Sequence, residues 1–376
     1  MSIGIGEPPD PFVSPRVWPD SGMSRHLLTL RAGPQALALL RERGLRAEDV
    51  EILPGASGGA KWLAIAGLDR YLFGTFLQAP RSTPLHGIGS SIGSWRLACL
   101  GQRDPLAALA RGHEAYLHRQ RYSKRPGTRE VTAVLAGCLD HLLGPSGVEE
   151  IISHPTLRVH VITAEGRGLA ASSRRLVLAT ALAAAAAANL MSRRTLALQV
   201  RRTIFHSAGD TSPFLHLRDL PTVHRPLTAA NARAVLLASG SIPLLLDGVH
   251  IPGTPGVHWD GGVTDYHLDL DFGTGAGLVL FPHFYDHIVP GWFDKSLPWR
   301  RAGAANFSRT LLIAPSAHFV AGLPGGKIPD RRDFYALSER ERLARWQRVN
   351  ELSSALGEEL HELIVTGRLT EAVQPW

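Results

Sequence analysis

Two segments of the chain set a serine between glycines as Gly-x-Ser-x-Gly: Gly55-Ala56-Ser57-Gly58-Gly59 and Gly89-Ser90-Ser91-Ile92-Gly93. In each, a β-like run precedes the segment and a helical run follows it. A serine on such a strand-to-helix turn holds a strained backbone and exposes its Oγ. The helix behind it turns free N–H groups and its dipole toward developing negative charge. The matching chemistry is attack on a carbonyl with stabilisation of the resulting oxyanion, and the small residues Gly89 and Gly93 keep the turn free of clashes. The first copy has a second reading. Its adjacent glycines let bare N–H groups of Gly58 and Gly59 approach an acyl group, which makes it an oxyanion loop in place of a nucleophile. Lys61 then anchors that loop, adds positive potential, or is a plain surface lysine. Ser91 and Ser57 are thus alternative nucleophiles. A third segment, Trp259-Asp260-Gly261-Gly262-Val263, ends a strand with a carboxylate able to reach a serine on a neighbouring strand, although Asp-Gly taken alone reads as a turn.

The elements that must hold these segments alternate between helical and β periodicity, which predicts an α/β fold. Helices are expected over Pro34–Arg43, from about Ala60 to Phe73, and after the second serine turn through Leu100. Helical segments then dominate to about Ile152. Strands are expected at Val50–Leu53, before Gly89, and at Leu157–Thr163, Arg202–His206, Val257–Trp259, Leu278–Phe281 and Thr310–Ile313. Leu337–Ile364 reads as one long charged helix, started by a Ser338/Glu341 capping box. Residues 1–24, crowded with Pro and Gly, read as a poorly ordered tail ahead of a single domain, 25–376, with helical insertions at about 104–152 and 174–194. The alanine-rich run Leu176–Leu190, flanked by Arg174-Arg175 and Arg193-Arg194, is shorter than a spanning helix needs. It reads as a buried core helix, or alternatively as a segment that touches a bilayer through its arginines.

The chain has 376 residues, 44% of them hydrophobic, which excludes disordered and fibrous classes. Its formal charge of +7 favours anionic surfaces without the basic runs of a nucleic-acid binder. Only four of the 40 basic residues are lysines (Lys61, Lys124, Lys295 and Lys327). Two cysteines in apolar helical patterns, Cys99 and Cys138, indicate no disulfide framework, and the N-terminus lacks a secretory pattern; a cytoplasmic protein is expected. There is no His-Glu-x-x-His, Cys-x-x-Cys, P-loop or dinucleotide fingerprint, so no metal or cofactor is expected.

Taken together, the three segments resemble the patatin-like phospholipases. That family carries a glycine-rich oxyanion loop with Arg or Lys, a Gly-x-Ser-x-Gly elbow and an Asp-Gly-Gly/Ala, in this order. Ser57-Gly58-Gly59-Ala60-Lys61-Trp62, Gly89–Gly93 and Asp260-Gly261-Gly262 fit the three, and Ala238-Ser239-Gly240-Ser241-Ile242-Pro243 resembles the block preceding the family's Asp. The matches span about residues 50–110 and 225–265. The resemblance implies a three-layer sandwich with a central, mainly parallel sheet and helices on both faces. It implies a Ser91–Asp260 dyad, oxyanion donors at Gly58, Gly59, Ala60 and Ile92, supporting roles for Lys61, Gly89, Gly93, Gly261 and Gly262, and lipid or other acyl esters as substrates, with peripheral contact to anionic membrane. In the family's order Ser91 is the nucleophile and Ser57 belongs to the loop. Ser57 and Trp62 depart from the family's glycines, and the bulky Trp62 is expected to reshape the acyl pocket. Two rival readings are a Ser-His-Asp hydrolase using His318 or His361, and an inactive membrane-binding scaffold. The helices over about Asp104–Ile152 and Leu176–Leu190 are expected to frame the acyl channel.

Overall fold

A computed structural model describes residues 26–376 apart from Thr274 and the side chain of Asp210, so the expected tail 1–24 lies outside the described residues. Ten strands join in one sheet: β1 (Leu28–Ala32), β2 (Val50–Gly55), β3 (Leu85–Ser90), β4 (Leu157–Gly166), β5 (Val200–His206), β6 (Thr222–Pro226), β7 (His258–Asp260), β8 (Leu278–Pro282), β9 (Thr310–Pro315) and β10 (Val373–Pro375). Their order is β10-β1-β9-β8-β2-β3-β4-β5-β6, with β7 paired to β4. Pairing is parallel except at β1–β9, β4–β5 and β4–β7. The protein is a three-layer α/β sandwich with helices on both faces of this sheet, as expected. The strands β8, β9 and β3 are buried along their whole length, which is why β8 and β9 read as apolar runs without alternation, while β3 reaches the site through the small residues Gly87, Gly89 and Ser90.

The helices are α1 (Pro34–Arg43), α2 (Ala66–Gly74), α3 (Ile92–Leu100), α4 (Pro105–His118), α5 (Thr128–Leu143), α6 (Gly147–Ile152), α7 (Arg175–Asn189), α8 (Ala232–Ser239), α9 (Ala317–Gly322), α10 (Asp333–Ala336), α11 (Glu339–Leu352), α12 (Ser354–Val365) and α13 (Leu369–Ala372). Local chemistry sets several of their ends. Asp104 caps α4 by accepting from the Ala107 N–H at 2.9 Å, with Pro105 in the first turn. The Ser338/Glu341 capping box is present at the start of α11.

Two expected helices change form. The segment after Gly58 runs as a 3-10 helix over Gly59–Ile65 before α2 begins. The long C-terminal helix is two helices, broken at Ser353. There Ser353 Oγ accepts from the Gly67 N–H and donates to the Asn350 carbonyl, pinning α12 onto α2. A Cβ on Gly67 would lie 1.8 Å from the Ser353 carbonyl oxygen, so the helices approach more closely than any side chain allows.

Most buried apolar residues, from Leu28 to Val373, form one contiguous core. A smaller cluster gathers Leu178, Ala181, Leu182 and Ala185 of α7 with Ala164, Val257, Trp259 and Val263. The expectation of a buried core helix at Leu176–Leu190 is therefore corrected. α7 buries one stripe against the small cluster and leaves Leu176 83% exposed, because its alanines present too little apolar surface to fill the main core from all sides.

The strand β4 positions the site. Along one edge it pairs with β3 over Leu157–Ile162 and then, continuing along the same edge, with β7 over Thr163–Glu165. Ser90 lies opposite Ile162 and Asp260 opposite Thr163. Two strand ends far apart in sequence thus abut on a common template, and the turn that begins after Ser90 meets Asp260.

Candidate active site

Ser91 sits between β3 and α3 at φ 53°, ψ −132°, a backbone conformation that non-glycine residues rarely hold. Several bonds hold it there. Its N–H donates to Ser239 Oγ at 2.9 Å, and Ser239 in turn donates to the Ile162 carbonyl of β4. Its carbonyl accepts from the N–H and the hydroxyl of Ser94. With the backbone clamped, Ser91 Oγ donates to Asp260 Oδ2 at 2.8 Å. Asp260 is only 6% exposed; its Oδ1 accepts from the Gly262 N–H at 2.7 Å, and its own N–H donates to the Ser241 carbonyl. Burial is the main influence on this carboxyl and pushes its pKa up to about 6, against the opposing bonds from Ser91 and Gly262.

The elbow's glycines are spatial requirements. A Cβ on Gly93 would lie 1.9 Å from the Gly55 carbonyl oxygen, and one on Gly261 would lie 2.2 Å from that of Ile162. A Cβ on Gly89 would meet the Ser94 nitrogen at 2.7 Å, and one on Gly262 would meet Ser57 Oγ at the same distance. Gly93→Ala should therefore force α3 away from β2. A loss of about 3 kcal/mol in a urea melt is expected, the upper end for overpacking.

Ser57 lies beside this machinery but not in it. Ser90 Oγ donates to the Asp265 carbonyl, so the 2.6 Å bond between Ser57 and Ser90 has Ser57 as donor. The Ser57 hydroxyl proton is committed to a neutral hydroxyl, whereas that of Ser91 faces a carboxylate. Beyond Ser57 the chain offers open N–H groups. Those of Gly58, Gly59, Ala60 and Ile92 donate to no acceptor among the described residues and line the same cavity as Ser91 and Asp260. Gly59 holds φ +56°, and Gly58 lies so close to Phe284 that a Cβ would stand 2.5 Å from the ring. The sequence folds this way because only glycine fits both positions.

The cavity measures about 960 Å³. Helices and loops of the 104–152 stretch frame it through Tyr116, Tyr122, Val131 and Leu135. No residue of α7 lines it, which corrects the expectation that both helical insertions would do so. Trp62 does not line it either. Its ring is fully buried against His113, and its Nε1 donates to Asp69, which also receives Arg96 through two bonds of 2.7 and 2.6 Å. Trp62 thus braces the loop to α3 from behind and meets the cavity only through the Tyr116 ring, which its own ring packs against edge-on.

Several contributors carry no motif. The segment Asp330–Arg342 closes one wall through Arg331, Phe334 and Tyr335. Lys295 also faces the cavity, its Nζ lying 3.8 Å from the Tyr266 ring centre. Desolvation, then the nearby charge of Lys61, lower its pKa to about 7. Desolvation likewise lowers Lys61 to about 8. Lysine rarity was the available signal: three of the chain's four lysines, Lys61, Lys124 and Lys295, line this one cavity. Behind the Asp260 loop, the fully buried Arg202 donates to both Asp265 oxygens at 2.7 and 2.6 Å and also pairs with Asp219.

Among the described residues no histidine bonds to Ser91. His361 meets the Tyr71 hydroxyl at 3.3 Å outside the cavity, and His318 does not line the cavity. The histidines that do, His267 and His287, make no contact with Ser91 Oγ. Among the described residues no group of three His, Cys, Asp or Glu side chains is placed to hold a metal ion. Cys99 and Cys138 are both buried free thiols.

The arrangement is a hydroxyl on a carboxylate, next to unpaired N–H donors, in a largely desolvated and positively charged cavity. Comparison with models of known protein families and with curated protein sequences finds no match to this chain.

Proposed function

We propose that the protein is a serine acyl hydrolase of the patatin-like type, cleaving carboxylic esters of lipids through a Ser91–Asp260 dyad. The observation that carries this reading is the 2.8 Å hydrogen bond from Ser91 Oγ to a buried carboxylate at a strained strand-to-helix turn. Ser91 Oγ attacks the ester carbonyl while Asp260 Oδ2 takes its proton. The carbonyl oxygen becomes an oxyanion, to which the N–H groups of Gly58, Gly59 and Ile92 donate. Asp260 returns the proton to the departing alcohol as the tetrahedral intermediate collapses, leaving an acyl group on Ser91. Water, deprotonated by Asp260, then attacks the acyl group, and Asp260 returns that proton to Ser91 Oγ as the acid departs; an alcohol in place of water gives acyl transfer.

A carboxylate is a weak base toward a serine hydroxyl. Burial strengthens it, and the N–H donors with the positive charge of Lys61 stabilise the anion that forms. The base must be ionised, so kcat/KM for an uncharged ester should fall about tenfold per pH unit below about 6 and level off above it until Lys61 loses its charge near 8. A profile with no acid limb between pH 4 and 7 would contradict this, and those bounds are set about the raised value.

The test of function is hydrolysis across p-nitrophenyl esters of rising chain length, acylglycerols and phospholipids by the native protein and Ser91→Ala. Turnover of at least one class, lost in Ser91→Ala, is the expected result. Equal turnover in the variant would remove Ser91 from the reaction.

A further inference from the structure

Six of the nine large apolar side chains that stand exposed among the described residues belong to α7 or to segments packed on it. They are Leu169, Leu176, Leu190, Met191, Leu198 and Trp299, with Leu176 and Met191 exposed by 83% and 88%. Contacts tie them into one substructure. The 3-10 turns Gly168–Ala171 and Arg193–Leu198 pack on α7. The Arg167 guanidinium donates to the Ala197 carbonyl, which brings Leu169 and Leu198 together. Arg300 donates to the carbonyls of Asn189 and Leu190, which brings Trp299 to the end of α7.

The charge on this substructure has one sign. Between Glu165 and Asp210 the chain carries seven arginines and no acidic residue. Arg201 and Arg202 pair with carboxylates of the sheet and its loops, and Arg193 pairs with the buried Asp294. The other four, Arg167, Arg174, Arg175 and Arg194, are exposed and have no carboxylate partner among the described residues. Exposed leucine and methionine interspersed along the chain with unpaired, exposed arginine match the two components of an anionic bilayer: acyl chains below, phosphate and carboxylate charge above. The geometry is also that of a surface contact, because no helix among the described residues is long and apolar enough to cross a membrane.

We propose that α7 and the segments packed on it form a docking surface for an anionic lipid bilayer. The surface borders the candidate active site. Val263 and Trp292 pack with the small core under α7 and also line the cavity that holds Ser91 and Asp260. The docking surface is thus joined to the cavity wall through Val263 and Trp292. The docking itself stands on the surface alone, while its use as a source of substrate rests on the hydrolase reading above.

Co-sedimentation tests it, with vesicles of phosphatidylcholine alone and of phosphatidylcholine mixed with phosphatidylglycerol. The native protein should bind the mixed vesicles, with affinity falling as salt rises. Arg174→Glu/Arg175→Glu should weaken binding at least about tenfold, each surface arginine counting for about fivefold. Met191→Ser/Leu198→Ser, which alters only exposed apolar groups, should also release the protein. Arg41→Glu/Arg46→Glu makes the same charge change on and just after α1 and should still bind.

Absence of native binding to mixed vesicles, or equal loss in the α1 control, overturns the proposal. So does self-association abolished by Met191→Ser/Leu198→Ser without vesicle binding, which would assign the face to a second copy of the chain. Fluorophosphonate reactivity of Ser91 is read on the same samples. Its loss in the native protein would count against the hydrolase reading and leave the docking result standing.

Discussion

Asp260→Asn is expected to lower kcat on an activated ester by about 10²–10⁴-fold while making the protein more stable at neutral pH. Both effects stem from one buried carboxyl. Asparagine preserves the shape and can still accept the Gly262 N–H, but it cannot take the proton of Ser91 Oγ. The stability effect is a matter of linkage. The folded-state pKa of Asp260, about 6, lies above the ordinary 3.8. The folded protein therefore holds a proton on this group at pH values where the unfolded chain has released it. The contribution to stability is fully present below about pH 4 and is lost as pH rises through about 6. At pH 8 the native protein bears the full cost of an ionised buried carboxylate, on the order of 3 kcal/mol. Asp260→Asn removes that cost at pH 8 and has little to gain at pH 4. Urea melts of both proteins at the two pH values measure the difference; equal differences at both would show that the carboxyl is not held out of its ordinary range.

The second large effect is expected behind the site. In Arg202→Met, Asp265 keeps its place with no exposed surface and loses the only cation bonded to it among the described residues. An uncompensated buried charge of this kind costs about 3–5 kcal/mol. The damage should reach the dyad, because the Asp265 carbonyl accepts from Ser90 and the loop joins Asp265 to Asp260 in five residues. Adding Asp265→Asn to Arg202→Met should recover part of the stability, since the orphaned charge is gone while the cavity remains. A double variant no more stable than Arg202→Met would show that packing around Arg202, and not its charge, supports the loop.

The α/β architecture was legible because β8 and β9 are apolar runs, and β2 and β3 are short strand-like segments each followed by a Gly-rich turn and a helical stretch. Three strands are not announced by the sequence, β1, β6 and β10, and for the last two there is a physical reason. β6 is an edge strand ending in Pro226 with no fully buried residue, and β10 has three residues that become a strand only by lying beside β1. Neither has a local signature, since their pairing is supplied by distant parts of the chain. The break at Ser353 is hidden for a similar reason, because it depends on Gly67 across the interface.

At the site, the segments that meet in the cavity were readable where chemistry constrains them locally: glycines at the elbow, adjacent glycines before Lys61, and Asp-Gly-Gly after a strand. The groups these segments lean on were not. Ser239 stands in a marked block, but its role lies in its bonds to the Ser91 N–H and the Ile162 carbonyl, which no local pattern signals. Lys295 and the Asp330–Arg342 wall reach the cavity through tertiary packing, for which no spacing rule exists. Trp62 misleads because a large side chain next to a glycine loop suggests a pocket residue, whereas its indole N–H turns to the buried Asp69.

The most direct test of the central claim is reaction of the folded protein with a fluorophosphonate probe, followed by peptide mapping of the modified residue. Only a serine activated by a base within an oxyanion site reacts readily with such a probe. The expected result is modification at Ser91, absent in Ser91→Ala, sharply slowed in Asp260→Asn and retained in Ser57→Ala. A folded native protein that stays unmodified, or that is modified at Ser57 instead, would contradict the account.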